Sequence, residues 1–247
     1  MKTDEIKKLH QKKYRDEFGH YLVEGEHLIL ELEKAAGMHS QLKSAQLFVT
    51  EKYTNWPSPF PKTLVSEKVF TQLSDTKTPQ GIAAVVPCVF AEKAPQSASP
   101  LYTGGERAIY LHEVQDPGNL GTILRSLAWF GQFRLLLSKG SVDPFNAKVV
   151  RASMGAIFHV PVELNVELTS LATRFNRIGY LDMAGSPLTH SSFSDCDCFV
   201  FGNEARGVPS ESLQAIHADA FTIRGSGAIE SLNLATAVNL CVYELSR

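Results

Sequence analysis

Apolar residues along this chain fall into two patterns. From residue 107 onward, short near-continuous apolar runs stand at Ala108–Leu111, Phe133–Leu137, Phe158–Val162, Tyr180–Met183, Phe199–Phe201 and Phe221–Ile223. Runs of this length without alternation are the mark of strands buried on both faces. Between them, apolar residues repeat at helical spacing over about Leu120–Phe130, Asn146–Met154, Leu168–Ile178, Ser210–His217 and Leu232–Leu245. The alternation predicts an α/β fold, a parallel sheet with helices on both faces, whose ligands lie beyond the carboxyl ends of the strands.

The first ninety or so residues predict a smaller α/β domain: a basic helix or arm over Ile6–Phe18, a strand and turn over Tyr21–Gly25, and a helix over Glu26–Ala36 closed by Gly37. Strands follow at Leu47–Val49 and Ile82–Val86, with a short helix capped by Ser66 between them. Pro57, Pro59 and Pro61 make their segment a loop, because alternate prolines forbid a regular ladder. Between residues 91 and 106 the sequence AEKAPQSASPLYTGGE loses all apolar periodicity and reads as a linker. The expected division is therefore 1–90, 91–106 and 107–247.

Composition narrows the class. With 247 residues and 44% hydrophobic content the chain can bury a real core, and a formal charge of −2 makes the whole molecule no general polyanion binder. Charge placement says more: Lys2, Lys7, Lys8, Lys12, Lys13 and Arg15 crowd the start, a pattern suited to a phosphate backbone. No apolar run approaches the length of a membrane span, and the charged start is unlike a secretory signal, so a reducing cytoplasm is expected. Cys196 and Cys198 form a C-x-C pair with no matching Cys/His pair elsewhere, which argues against a metal site.

Three stretches carry candidate chemistry. In HEVQDPGNLGTILRSLAWFG, residues 112–131, Pro117-Gly118 turns the chain, Asn119 stands where it can cap a helix, and Gly121 and Arg125 share a face. A glycine inside a helix costs about 1 kcal/mol against alanine, so Gly121 needs a reason, and Arg125 beside it offers a fixed charged fork. In GNEARGVP, residues 202–209, two glycines bracket Glu204 and let main-chain groups face a flat ligand. In the last stretch, RGSGAIESLNLATAVNLCVYELSR from 224, a glycine loop leads through Ser231, Leu232 and Asn233 into an apolar helix.

Order, spacing and end position of these stretches resemble the motifs of the SpoU (TrmH-like) family of the SPOUT superfamily of RNA methyltransferases. The matching residues are DPGNLGTILR (116–125) with FG (130–131), FGNEARGVP (201–209) and IRGSGAIESLNLATA (223–237). KKYRDEFGHYLVEG (12–25) resembles the family's N-terminal RNA-binding domain, itself similar to small ribosomal proteins. The resemblance implies a C-terminal domain with a trefoil knot, S-adenosyl-L-methionine as cofactor, transfer of its methyl group to a ribose 2′-hydroxyl, and a homodimer held partly by the last helix. By position it makes Asn119, Arg125, Glu204, Ser231 and Asn233 active-site residues, and it places Gly202, Ile223 and Leu232, with Asn203 and Gly207 beside them, against the cofactor. Lys12, Lys13, Arg15, Lys148 and Arg151 become the expected RNA contacts. The ribosomal-protein-like start favours rRNA over tRNA. Arg224-Gly225 departs from the family's usual proline and methionine at that point. Among rivals, a non-catalytic RNA-binding relative is disfavoured by the intact motif residues, and a dinucleotide oxidoreductase by the lack of G-x-G-x-x-G after the first strand.

Overall fold

The computed structural model describes residues 1–88, 91–93 and 106–247, with backbone alone for 91–93. The chain divides into two compact units, Met1–Val89 with Asp143–His159, and Phe90–Val142 with Val160–Arg247.

The first unit opens with α1 (Thr3–Lys8) and α2 (Lys12–Phe18), not the single helix that the basic arm predicts. The break has a physical cause. Leu9 is buried, and Arg15 Nη1 donates to its carbonyl oxygen at 2.7 Å, satisfying a group left open where α1 ends. Gly19, in the left-handed region at φ 64°, closes α2. Then come β1 (His20–Glu24), α3 (Glu26–Met38), β2 (Gln46–Val49), β3 (Lys62–Leu64), α4 (Glu67–Leu73) and β4 (Ile82–Pro87). The strands form one sheet in the order β1-β4-β2-β3. Ser66 caps α4 as its sequence predicts, its hydroxyl accepting from Val69 N. Ile6, Leu9, Leu22, Phe48, Phe70 and Val85 pack together as part of the core.

The rest of the chain supplies β5 (Ala91–Lys93), β6 (Arg107–Leu111), α5 (Pro117–Phe130), β7 (Phe133–Leu137), α6 (Ala147–Ser153), β8 (Val162–Leu164), α7 (Leu171–Arg174), β9 (Ile178–Pro187), α8 (Ser191–Ser194), β10 (Cys198–Phe201), α9 (Ser210–Ala215), β11 (Asp219–Thr222) and α10 (Leu234–Leu245). The second sheet runs β11-β9-β10-β6-β7-β8-β5, every pair parallel. The predicted strands at 108, 133 and 199 match β6, β7 and β10. The apolar run from Phe158 does not form a strand at that point. Met154 and Gly155 both take positive φ, and Ala156–Phe158 forms a 3-10 turn before β8 begins at Val162. The helix predicted over Leu168–Ile178 shrinks to a 3-10 turn and α7, and Ile178 already belongs to β9. Of the expected linker, residues 91–93 form a strand against β8, and 94–105 lie outside the described residues.

The expected division at residue 107 needs one correction. Residues 143–159, with α6, pack in the first unit. Arg15 Nη2 lies 2.5 Å from Asp143 Oδ2 and both side chains are buried. The rings of Tyr21 and Phe145 sit 4.7 Å apart. Gly155 permits a close crossing, since a Cβ there would stand 2.6 Å from Glu31 Cβ.

Candidate active site

Helix α5 starts from a cap of its own sequence. Asp116 Oδ1 accepts from Asn119 N at 2.7 Å, and Pro117 occupies the first turn, where its missing N–H costs nothing. Asp116 thus takes the capping part that the spacing assigns to Asn119, which frees the Asn119 side chain. Its Nδ2 donates to Glu204 Oε1 at 3.1 Å, and its Oδ1 accepts from Asn233 Nδ2 at 3.0 Å. The Glu204 carboxylate also accepts from the backbone N–H groups of Gln115 and Asp116, each at 3.4 Å. Asn233 caps α10, its Oδ1 accepting from Thr236 N at 3.3 Å. Residues near 119, 204 and 233, distant in sequence, meet in one exposed polar cluster.

That cluster edges a cleft of about 730 Å³ beyond the carboxyl ends of β9, β10 and β11. Gly202, Asn203, Gly207, Ile223 and Leu232 line it, together with Glu204, Ser231 and Asn233. Gly202 is required by close approach, since a Cβ there would lie 2.2 Å from the carbonyl carbon of Gly207. Asn203 and Gly207 pair backbone to backbone in both directions, at 3.1 and 2.8 Å, closing the loop. The volume is that of a site for a nucleoside-sized ligand, and the wall from Thr222 to Gly227 holds two glycines, a serine and a threonine beside Ile223 and Arg224. Asp182, Met183 and Arg224 also line it; no motif pattern had singled out the first two.

Of the predicted active-site residues, Glu204, Ser231 and Asn233 line this cleft, Asn119 reaches it only through its bonds to Glu204 and Asn233, and Arg125 neither lines it nor bonds to residues that do. Arg125 stands exposed on α5 and makes no hydrogen bond or ion pair with the described residues. The expected RNA contacts divide. Lys13 is exposed with its ammonium 5.6 Å from the Tyr14 ring centre, Lys12 is exposed and paired with Asp16 at 2.8 Å, and Lys148 is exposed. Arg15 is buried at 5% exposure and spent on Asp143 and the Leu9 carbonyl, so it offers nothing to a phosphate. Arg151 is half-exposed and leans on Asp75 at 3.4 Å. The Glu113–Arg206 ion pair at 2.7 Å, between two loops of the site, has no signature in the sequence.

Cys196, Cys198 and Cys241 are buried thiols, and Cys88 is partly buried. Burial pushes Cys241 up to about 12 and Cys196 up to about 11, and raises Cys198 well above the ordinary thiol range. Among the described residues no group of His, Cys, Asp and Glu side chains gathers in a way that could hold a metal ion.

Fold and cleft together define an α/β ligand-binding domain, joined in one chain to a separate small α/β unit. Residues 106–243 match the SpoU rRNA Methylase family, and residues 2–84 match the MRM3-like substrate binding domain. The chain belongs to the SpoU rRNA Methylase family. It is 31% identical to the Bacillus subtilis 23S rRNA (guanosine(2553)-2′-O)-methyltransferase RlmP, over 99% of this chain and 96% of that one. An AdoMet-bound rRNA methyltransferase from Sinorhizobium meliloti superposes with a TM-score of 0.74 at 27% identity, covering 98% of this chain and 93% of the other. A TrmH-family protein from Porphyromonas gingivalis reaches 0.81 at 28% identity, over 98% and 96%.

Proposed function

We propose that this protein is an S-adenosylmethionine-dependent methyltransferase that acts on a ribose 2′-hydroxyl of structured RNA, with rRNA as its substrate. The observation that carries the reading is the meeting of Asn119, Glu204 and Asn233 at the edge of a nucleoside-sized cleft. The similarity to RlmP, whose substrate is 23S rRNA, and the match to a substrate binding domain support rRNA over tRNA.

The cleft fits the cofactor in size and in lining. Gly202, Gly207, Ile223 and Leu232 would hold it, largely through backbone groups. The bound cofactor supplies a methyl group already activated by its positive sulfur. What remains for the protein is to hold the hydroxyl in line and to offset the charge that grows on its oxygen. Glu204, fixed by two backbone N–H groups and Asn119, shapes the rim where the ribose enters. Asn233 and Ser231 bound the same opening from the C-terminal side. Arg125 brings a cation that no described partner has neutralised. A guanidinium hardly ever gives up its proton, so its role is to fix the ribose or phosphate and stabilise the developing alkoxide.

Three further readings rest on the same fold. The chain runs from β11 at the sheet edge back to α10, which packs on α5, and Asn233 bonds to Asn119 on the way. This course supports the trefoil knot of the family. Trp129 on α5 is 85% exposed, and Leu240 and Tyr243 on α10 are also exposed, which supports a homodimer through these helices. The similarity to the bacterial RlmP supports a cytoplasmic location, beside ribosomes; among the described residues no helix is long and apolar enough to cross a membrane.

Arg125→Ala tests the reading. It is expected to keep the fold and the cofactor affinity and to lose about 100-fold or more in kcat for methyl transfer, the scale of one removed charge-stabilising donor. Normal turnover in that variant would take Arg125 out of the mechanism.

A further inference from the structure

We propose that Asn203 is a positioning residue, a side chain that sets Glu204 against the start of α5 by tying two loops together. The inference rests on the function proposed above and adds to it how the polar cluster is held.

Asn203 is 9% exposed, and its polar atoms are used on two sides. Its Oδ1 accepts from Ala205 N at 3.0 Å and Arg206 N at 3.1 Å, which folds the loop that carries Glu204. Its Nδ2 donates across to the Glu113 carbonyl at 2.8 Å, in the loop that follows β6. Glu113 is itself pinned. It sits at φ 50°, a left-handed conformation that a side chain other than glycine seldom takes without support. Its N–H donates to Ser138 Oγ at 2.7 Å, and its carbonyl also accepts from Gln115 Nε2 at 3.1 Å. Gln115 Nε2 reaches on to the Gly140 carbonyl at 2.6 Å. Loops at the carboxyl ends of β10, β6 and β7, three neighbours in the sheet, are thus joined through Glu113.

The geometry gives Asn203 its effect. Glu204 is the next residue, and its carboxylate lands on Gln115 N and Asp116 N, two and three residues beyond Glu113. An amide side chain fits this task because it carries a donor and an acceptor at once. Buried, each of these atoms is costly to leave unpaired. The Glu113–Arg206 ion pair crosses the same gap, but with side-chain exposures of 40% and 71% it contributes little to holding it. Asn203 lines the cleft, where the resemblance sets it against the cofactor, but its side-chain Oδ1 and Nδ2 are bonded within the two loops.

Asn203→Asp isolates the tie. It keeps an acceptor for Ala205 and Arg206 and removes the donor to Glu113. Hydrogen exchange at the Gln115 and Asp116 amides should speed up in Asn203→Asp about as much as in Glu204→Gln, and this readout stands whether or not the wild type methylates RNA. With wild-type methylation established, kcat should fall about 10- to 100-fold while the calorimetric Kd for S-adenosylmethionine stays within about threefold. The double variant should lose no more than Glu204→Gln alone, because both act through one carboxylate. Unchanged exchange at the two amides, or losses in kcat that add, would overturn the assignment. If Asn203→Asp fails to fold, Asn203→Ser carries the same comparison, since its short hydroxyl keeps an acceptor nearby and cannot span to Glu113. A wild type that transfers no methyl group sinks the proposed function and leaves the exchange result to decide the role of Asn203.

Discussion

In the first unit arginine charge is spent internally. Arg15 closes on Asp143 in a buried pair and caps the Leu9 carbonyl, and Arg151 leans on Asp75. In the second unit the polar groups of interest stand in the open. Asn119, Glu204 and Asn233 bond to one another and to backbone at the edge of a cleft, and Arg125 has no partner among the described residues. The difference teaches where a sequence can be trusted. A cluster of like charges, such as residues 7–15, does not say which charges are already used, because the partner is set by tertiary packing; Asp143 lies 128 residues from Arg15. A loop of glycine, Asn and a helix cap is different, since the backbone conformation it imposes is local and leaves its donors facing outward.

Breaking the comparison on each side should give opposite results. Asp143→Ala leaves Arg15 buried without its carboxylate and is expected to destabilise the first unit by about 3–5 kcal/mol in urea unfolding. Affinity for S-adenosylmethionine should not follow it, because every residue lining the cleft belongs to the second unit. Gly202→Ala should do the reverse. The added methyl meets backbone at 2.2 Å, which cannot move aside as a side-chain end would. Overpacking strain of about 1–3 kcal/mol predicts cofactor binding roughly 5- to 150-fold weaker by calorimetry, with the unfolding of the first unit unchanged.

The exposed lysines sharpen the contrast further. Lys13→Ala and Lys148→Ala should each weaken RNA binding several-fold and lower the slope of log K against log salt by about 1, as for one lost phosphate contact. The smallest effect concerns His159, whose ring stands 6.1 Å from that of His39. Burial, and then the neighbouring His39, lower its pKa below the usual 6.5, against an upward pull from Glu31. The folded state therefore binds fewer protons than the unfolded one just below that value, so this group opposes folding as the pH drops. His159→Gln should flatten the loss of stability below about pH 6.5, measured as Tm against pH.

Much of the second unit is legible in its sequence. Strands β6, β7 and β10 follow from unbroken apolar runs, and α5 and α10 from their buried stripes, because a buried strand or helix face must be apolar wherever it packs. Part of the cleft is legible, since Gly202, Asn203, Glu204, Gly207, Ile223, Ser231, Leu232 and Asn233, all within the motif stretches, line it. Three things are not. Phe158 is as apolar as a strand residue, and only the positive φ of Met154 and Gly155 bends its run into a 3-10 turn. The return of residues 143–159 to the first unit depends on Asp143 and Phe145 finding Arg15 and Tyr21, which no local pattern announces. The capping of α5 by Asp116, three residues ahead of Asn119, looked from spacing alone like a part for Asn119 itself.

Transfer itself is the most direct test. Purified protein is incubated with methyl-labelled S-adenosylmethionine and rRNA lacking ribose methylation, and the RNA is digested to nucleosides. The account predicts label on a single 2′-O-methylated nucleoside, lost in Arg125→Ala. Label on a base, or none on rRNA while the cofactor binds, would contradict it.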